Sequence, residues 1–174
     1  FISSENPGAH VEWHPRGKIS VEQITDGTSH TAAVAERLIQ TESTPVGVLA
    51  APPQVKSYHV TGAARTLGDM AQRCDAAKTH ADLGHSAYVG RAWISGWSRV
   101  GPTYMHLKTP NTNNCHFSLA SDDGDLAFTP SSNHPGGVHV LMADGHVSFV
   151  GDDIEPTIWW ALGSRNEGGL SRGN

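Results

Sequence analysis

The stretch "SSNHPGGVHVLMADGHVSFV" (residues 131–150) decides how this chain is read. Two β-rich runs, 138–143 and 146–150, flank Asp144-Gly145, a strong short-range hairpin signal. A two-residue Asp-Gly loop predicts Ala143 opposite His146, Leu141 opposite Ser148 and His139 opposite Val150. Strand alternation then places His139, Leu141, Ala143, His146 and Ser148 on one face, turned outward or toward a second layer. It places Val138, Val140, Met142, Val147 and Phe149 on the core face. In that register His139 and His146 point the same way, roughly 13 Å apart. Zinc binds its nitrogens at about 2.0–2.1 Å, so those two cannot share an ion. Polar residues on a half-exposed sheet face is the better reading. His134 precedes the bend Pro135-Gly136-Gly137, which leads into the hairpin.

Working outward, Pro156 opens a short helix, "PTIWWAL", and Gly163 closes it, in keeping with proline-first, glycine-last helices. Trp159 and Trp160 leave it on different sides, one inward and the other toward a partner. "ARTLGDMAQRCDAAK" (64–78) is the best helix, with Leu67, Met70, Ala71, Cys74 and Ala77 on one face. Ser20 and Gln23 form a capping box that predicts a helical turn over 21–25. "HTAAVAERLI" (30–39) suits helix and strand equally. "TPVGVLAAPPQVKSYHV" (44–60) is broken by Pro and Gly and reads as strands and loops. With no linker or repeat, the expectation is one α+β domain over 1–174, an antiparallel sheet with short helices.

Composition narrows the function. The 174 residues carry a net charge of −5 and no Lys/Arg block, which disfavours nucleic acid and anionic membrane surfaces as partners. No apolar run is long enough to span a bilayer. Two cysteines, Cys74 and Cys115, are too few for a Cys-rich zinc site. They pair as one disulfide in an exported protein or stay as buried thiols, and residues alone slightly favour thiols.

Eleven histidines invite a metal reading. The candidates are His134, His139, Asp144 and His146 around the hairpin, and His10 and His14 in "HVEWH". The last pair lies among Pro7, Gly8 and Pro15, which argue against the helix that would let it chelate. Asp122, Asp123 and Asp125 lack a calcium loop's full spacing. No nucleophile elbow, dinucleotide fingerprint or phosphate loop occurs. Ser29 beside His30, and His85 beside Ser86, read as loop polar residues. Tyr88, Trp93 and Trp97 are a candidate binding surface, although aromatic residues at this spacing are more often core or interface.

His134, nine residues and then Asp144-Gly145 resemble the His-nine-Asp-Gly signature of the prepilin-type processing-associated family, secreted pilin-like proteins abundant in planctomycete-type bacteria. Three further stretches agree, in that family's order: "ITDGTSHTAAVAER" (24–37), "GRAWISGWSRVGPTYMHLKTPNTNNC" (90–115) and "DIEPTIWWALGSRNEGG" (153–169). The resemblance implies a pilin-like head whose long apolar N-terminal helix is absent from this sequence, hence a truncated member. It implies export to the cell surface or beyond, like subunits or other surface proteins as partners, and no cofactor. Export in turn favours a Cys74–Cys115 disulfide. His134, Asp144 and Gly145 then read as scaffold. Two rivals remain: a zinc-dependent hydrolase of activated esters or phosphoesters built from converging histidines, and a carbohydrate-binding module using the aromatic surface.

Overall fold

The computed structural model describes residues 19–61, 66–77, 81–95, 100–117 and 126–166. The architecture is mixed α+β, with two small sheets and short helices. The first sheet holds β1 (Ala32–Ala35), β5 (Gly137–Met142) and β6 (Val147–Gly151), antiparallel in the order β1-β5-β6. The second holds β2 (Ser57–His59), β3 (Asn114–His116) and β4 (Leu126–Ala127). It is mixed, because β2 runs parallel to β3 and β4 antiparallel to it. The helices are α1 (Pro45–Ala50), α2 (Leu67–Ala76), α3 (Leu83–Ser86) and α4 (Pro156–Leu162), with 3-10 turns at Val21–Gln23, Thr28–His30 and Pro53–Val55. Among the described residues no helix is long and apolar enough to cross a membrane.

The hairpin forms, but one residue out of the expected register. Leu141 pairs with Val147, Val140 with Ser148, His139 with Phe149 and Val138 with Val150. The loop has three residues, Ala143-Asp144-Gly145, and Gly145 sits at φ 94. Its N–H donates to the Met142 carbonyl, which closes the turn. A glycine in the left-handed region is what a three-residue hairpin loop requires. A slip of one residue exchanges the faces of a strand. Val147 and Phe149, expected in the core, are therefore exposed beside Leu141 and Val34, while Val138, Val140, Met142 and Val150 are buried. His139 and His146 lie on opposite faces rather than the same one.

The ambiguous run 30–39 becomes β1, because it pairs with β5 across a register irregularity between Ala32 and Val34. Residues 26–31 dock against the hairpin tip. Thr31 and Thr28 carbonyls accept the Ala143 and Asp144 N–H groups, and Asp26 accepts from the Ser164 hydroxyl. Where strands and loops were expected over 44–60, Pro45–Ala50 form α1. Thr44 accepts the Gly47 N–H and Pro45 opens the first turn, a cap and a preset φ that outweigh the glycine.

Two apolar clusters fill the interior. One surrounds Cys74 and Cys115, which are joined in a disulfide between α2 and β3, with Tyr58, Met70, Leu107 and Phe117. The other packs the inner face of the first sheet against Trp159. Trp160 is half-buried, touches both clusters and donates its Nε1–H to the Leu107 carbonyl. Both tryptophans of α4 therefore pack on interior clusters.

Candidate functional site

β1 ends at Ala35 opposite Val140, which sets Glu36 beside His139. Glu36 Oε2 accepts the His139 backbone N–H at 2.8 Å and lies 3.4 Å from His139 Nδ1. Its other oxygen, Oε1, lies 3.1 Å from His134 Nε2. The two rings meet edge to face, with centroids 4.7 Å apart and planes at 88°. Both are about half exposed, at 50% and 44%. Burial pushes the Glu36 carboxyl upward, but the His139 N–H and the His134 and His139 rings outweigh it and hold the group below its ordinary value.

The loop bearing His134 is fixed from several sides. Ser132 Oγ accepts the His134 N–H and donates to the Gly137 carbonyl. Asn111, in the left-handed region at φ 57, accepts the Ser132 N–H and donates to Gly137 and Asp152. The next residue after Glu36, Arg37, reaches the other way, to the Gly101 and Thr103 carbonyls and over the Phe128 ring.

The remaining signature residues make a separate, local arrangement. Asp144 Oδ1 accepts the His146 N–H at 3.1 Å and lies 2.6 Å from His146 Nδ1. That backbone hydrogen bond is the chief reason the Asp144 carboxyl sits below its ordinary value. Of the weak metal candidates, the structure brings His134 and His139 together, with Glu36 as third member, and leaves Asp144 and His146 as a pair. His10, His14 and the Asp122–Asp125 turn lie outside the described residues.

A second cluster was not foreseen. Asp82 caps α3 by accepting the His85 N–H, and its Oδ2 lies 3.2 Å from His85 Nδ1 and 3.6 Å from His116 Nε2. Burial pushes the Asp82 carboxyl up, but the His85 N–H and the two rings hold it below its ordinary value. Ser57 Oγ lies 2.9 Å from His116 Nδ1, which completes a Ser–His–Asp chain. Ser57 is wholly buried in β2, however, so a substrate carbonyl has no approach to that hydroxyl. The His85 and His116 rings stack at 3.8 Å with planes at 9°. One ligand atom from each of Asp82, His85 and His116 lies within 4.8 Å of the others, but the stacked rings keep their in-plane lone pairs in nearly parallel planes. His85 and Ser86 are thus buried network members rather than loop polar residues; Ser86 Oγ accepts the Ser57 N–H.

Sequence reading missed Glu36, Asp82 and His116 as members of these clusters. The Asp82-x-x-His85 capping pattern was the one local signal available. Of the aromatic candidates, Tyr88 and Trp93 are exposed, Trp93 at 79%, and Trp97 lies outside the described residues. Grooves among the described residues lie elsewhere. One is lined by Leu38, Gln40, Glu42, Pro52 and Val55 among others, the second by Tyr58 and Asn111–Asn113 with Pro53, and neither includes a member of a histidine cluster.

Over residues 3–157 the chain matches the family described as "Protein of unknown function (DUF1559)", and it belongs to that family. Both clusters and the disulfide fall inside the matched span. No curated protein and no solved structure matches the chain.

Proposed function

From that membership, we propose that the chain is the head of an exported pilin-like subunit of the prepilin-type processing-associated kind, a single domain serving structure and interaction rather than turnover. The observation that carries this reading is the wiring of its signature residues into the scaffold. His134 meets Glu36 beyond β1, and Asp144-Gly145 forms the hairpin tip on which residues 26–31 rest. His134 Nε2 and the Asp144 carboxylate are each engaged by a neighbouring side chain, Glu36 and His146. The Cys74–Cys115 disulfide supports export, because cytosolic reductants keep such pairs reduced. The exposed row Val34, Leu141, Val147 and Phe149 supports contact with like subunits or other surface proteins.

The test is fractionation of cells expressing the natural chain, combined with thiol labelling. The expected result is a surface or extracellular protein with no labelled cysteine. A cytoplasmic pool with both thiols free would overturn the reading. A second reading, a carbohydrate-binding module, draws on the exposure of Tyr88 and Trp93. Polysaccharide binding that Trp93→Ala abolishes would favour it.

A further inference from the structure

We propose that Glu36, His134 and His139 form a binding site for one divalent transition-metal ion of the zinc class. The ligand types fit, since two neutral imidazoles and one carboxylate are a common three-residue zinc set that leaves a fourth position open. The spacing fits as well. Ligands about 2.0–2.1 Å from a tetrahedral ion lie about 3.3 Å from one another. Here each ring faces a different oxygen of the carboxylate, His134 Nε2 at 3.1 Å from Oε1 and His139 Nδ1 at 3.4 Å from Oε2, so a small rotation of the Glu36 side chain would present one oxygen to an ion between the rings. All three ligand atoms lie within 4.8 Å of one another.

Orientation separates this cluster from the buried one. Both groups meet the same distance condition, but the His134 and His139 rings cross at 88°, whereas the His85 and His116 rings are stacked with planes at 9°, an arrangement that keeps their in-plane lone pairs in separate planes. The support behind the ligands is also present. The His139 N–H holds Glu36 Oε2, and Ser132 holds the backbone of His134. Such outer hydrogen bonds fix the orientation of ligating groups. The ligands come from the end of β1, from β5 and from the loop before it, so an ion there would tie three segments that now share hydrogen bonds. With both rings about half exposed, water or a donor from another molecule can fill the open position.

The proposal is independent of the pilin-like reading, because it concerns only whether the three side chains take an ion. The test uses the whole, disulfide-bonded chain, stripped with chelator and titrated with zinc chloride by calorimetry, with cobalt chloride as a spectroscopic probe. The expected result is one zinc per chain, a raised melting temperature and cobalt absorption typical of a four-coordinate site. His134→Ala, His139→Ala and Glu36→Gln should each weaken zinc binding at least roughly tenfold, and His146→Ala should leave it unchanged. Near-ultraviolet dichroism confirms that each variant is folded, and half-exposed His134 is the substitution the fold tolerates best. Absence of zinc binding at millimolar concentration would overturn the proposal. So would binding that survives His134→Ala and His139→Ala in folded protein.

Discussion

Mild acid should weaken this fold through His106. Its ring stacks on the Trp159 indole at 3.6 Å, Nε2 donates to the Trp159 carbonyl at 2.6 Å, and Nδ1 faces the Tyr104 hydroxyl at 3.3 Å. Packing is tight enough that a Cβ on Gly163 would lie 2.6 Å from the ring. Burial lowers the His106 pKa from 6.5 to about 4, against the opposing pull of the Trp159 carbonyl. Between those two values the unfolded chain binds a proton that the native one does not. Stability therefore falls as pH drops from 6.5 to about 4, and the effect is absent above that window and complete below it. At 1.36 kcal/mol per pKa unit the whole effect is at most about 3 kcal/mol, of which about 2 kcal/mol falls between pH 7 and pH 5. Glu36, Asp82 and Asp144, whose carboxyls are depressed, lose their contribution only at lower pH, as it falls through the carboxylate range. Urea unfolding followed by tryptophan fluorescence at pH 7 and pH 5 measures the loss. His106→Gln keeps an amide donor toward the Trp159 carbonyl but cannot titrate. The natural chain should lose about 2 kcal/mol more than the variant over that interval. Equal losses in the two proteins would refute the reasoning.

Three other outcomes follow from the same structure. Val150→Ala should cost about 2 kcal/mol and Val147→Ala under about 0.5 kcal/mol, because the three-residue loop buries the first and exposes the second; chemical unfolding compares them, and the opposite order would restore the two-residue register. Replacing Cys74 and Cys115 together by alanine should cost about 4 kcal/mol by loop entropy for a sequence separation of 41, read as a fall in melting temperature. Glu36→Ala should cost about 1–2 kcal/mol in metal-free protein, since the His139 N–H loses its acceptor and two rings lose their partner; differential scanning calorimetry reads the change.

The elements that formed as expected carry their signals within a few residues. The capping box of Ser20 and Gln23 forms a 3-10 turn, and Pro156 and Gly163 bracket α4. Within the stretch read as the best helix, Leu67–Ala76 form α2, with Met70 and Cys74 buried. The α1 turn was missed because Gly47 and the following prolines masked the stronger signal of Thr44-Pro45. The hairpin was legible as a hairpin, yet Ala143-Asp144-Gly145 and Asp144-Gly145 are both sound loops for the same residues. Packing chose between them. The longer loop sends Val150 inward, against the inner face that packs on Trp159.

What the sequence by itself determined is the mixed α+β class, the helices α2 and α4, the hairpin and the residue types available for chemistry. Each depends on contacts spanning a handful of residues. Tertiary structure alone decided which of those residues meet. Glu36 and His134 are 98 positions apart and touch because β1 pairs with β5 at a particular offset. Asp82 meets His116 because β2 and β3 run parallel next to α3. A sheet's register is set by which apolar face can be buried, a property of the whole assembled core, and a one-residue change in that register would bring a different set of side chains together.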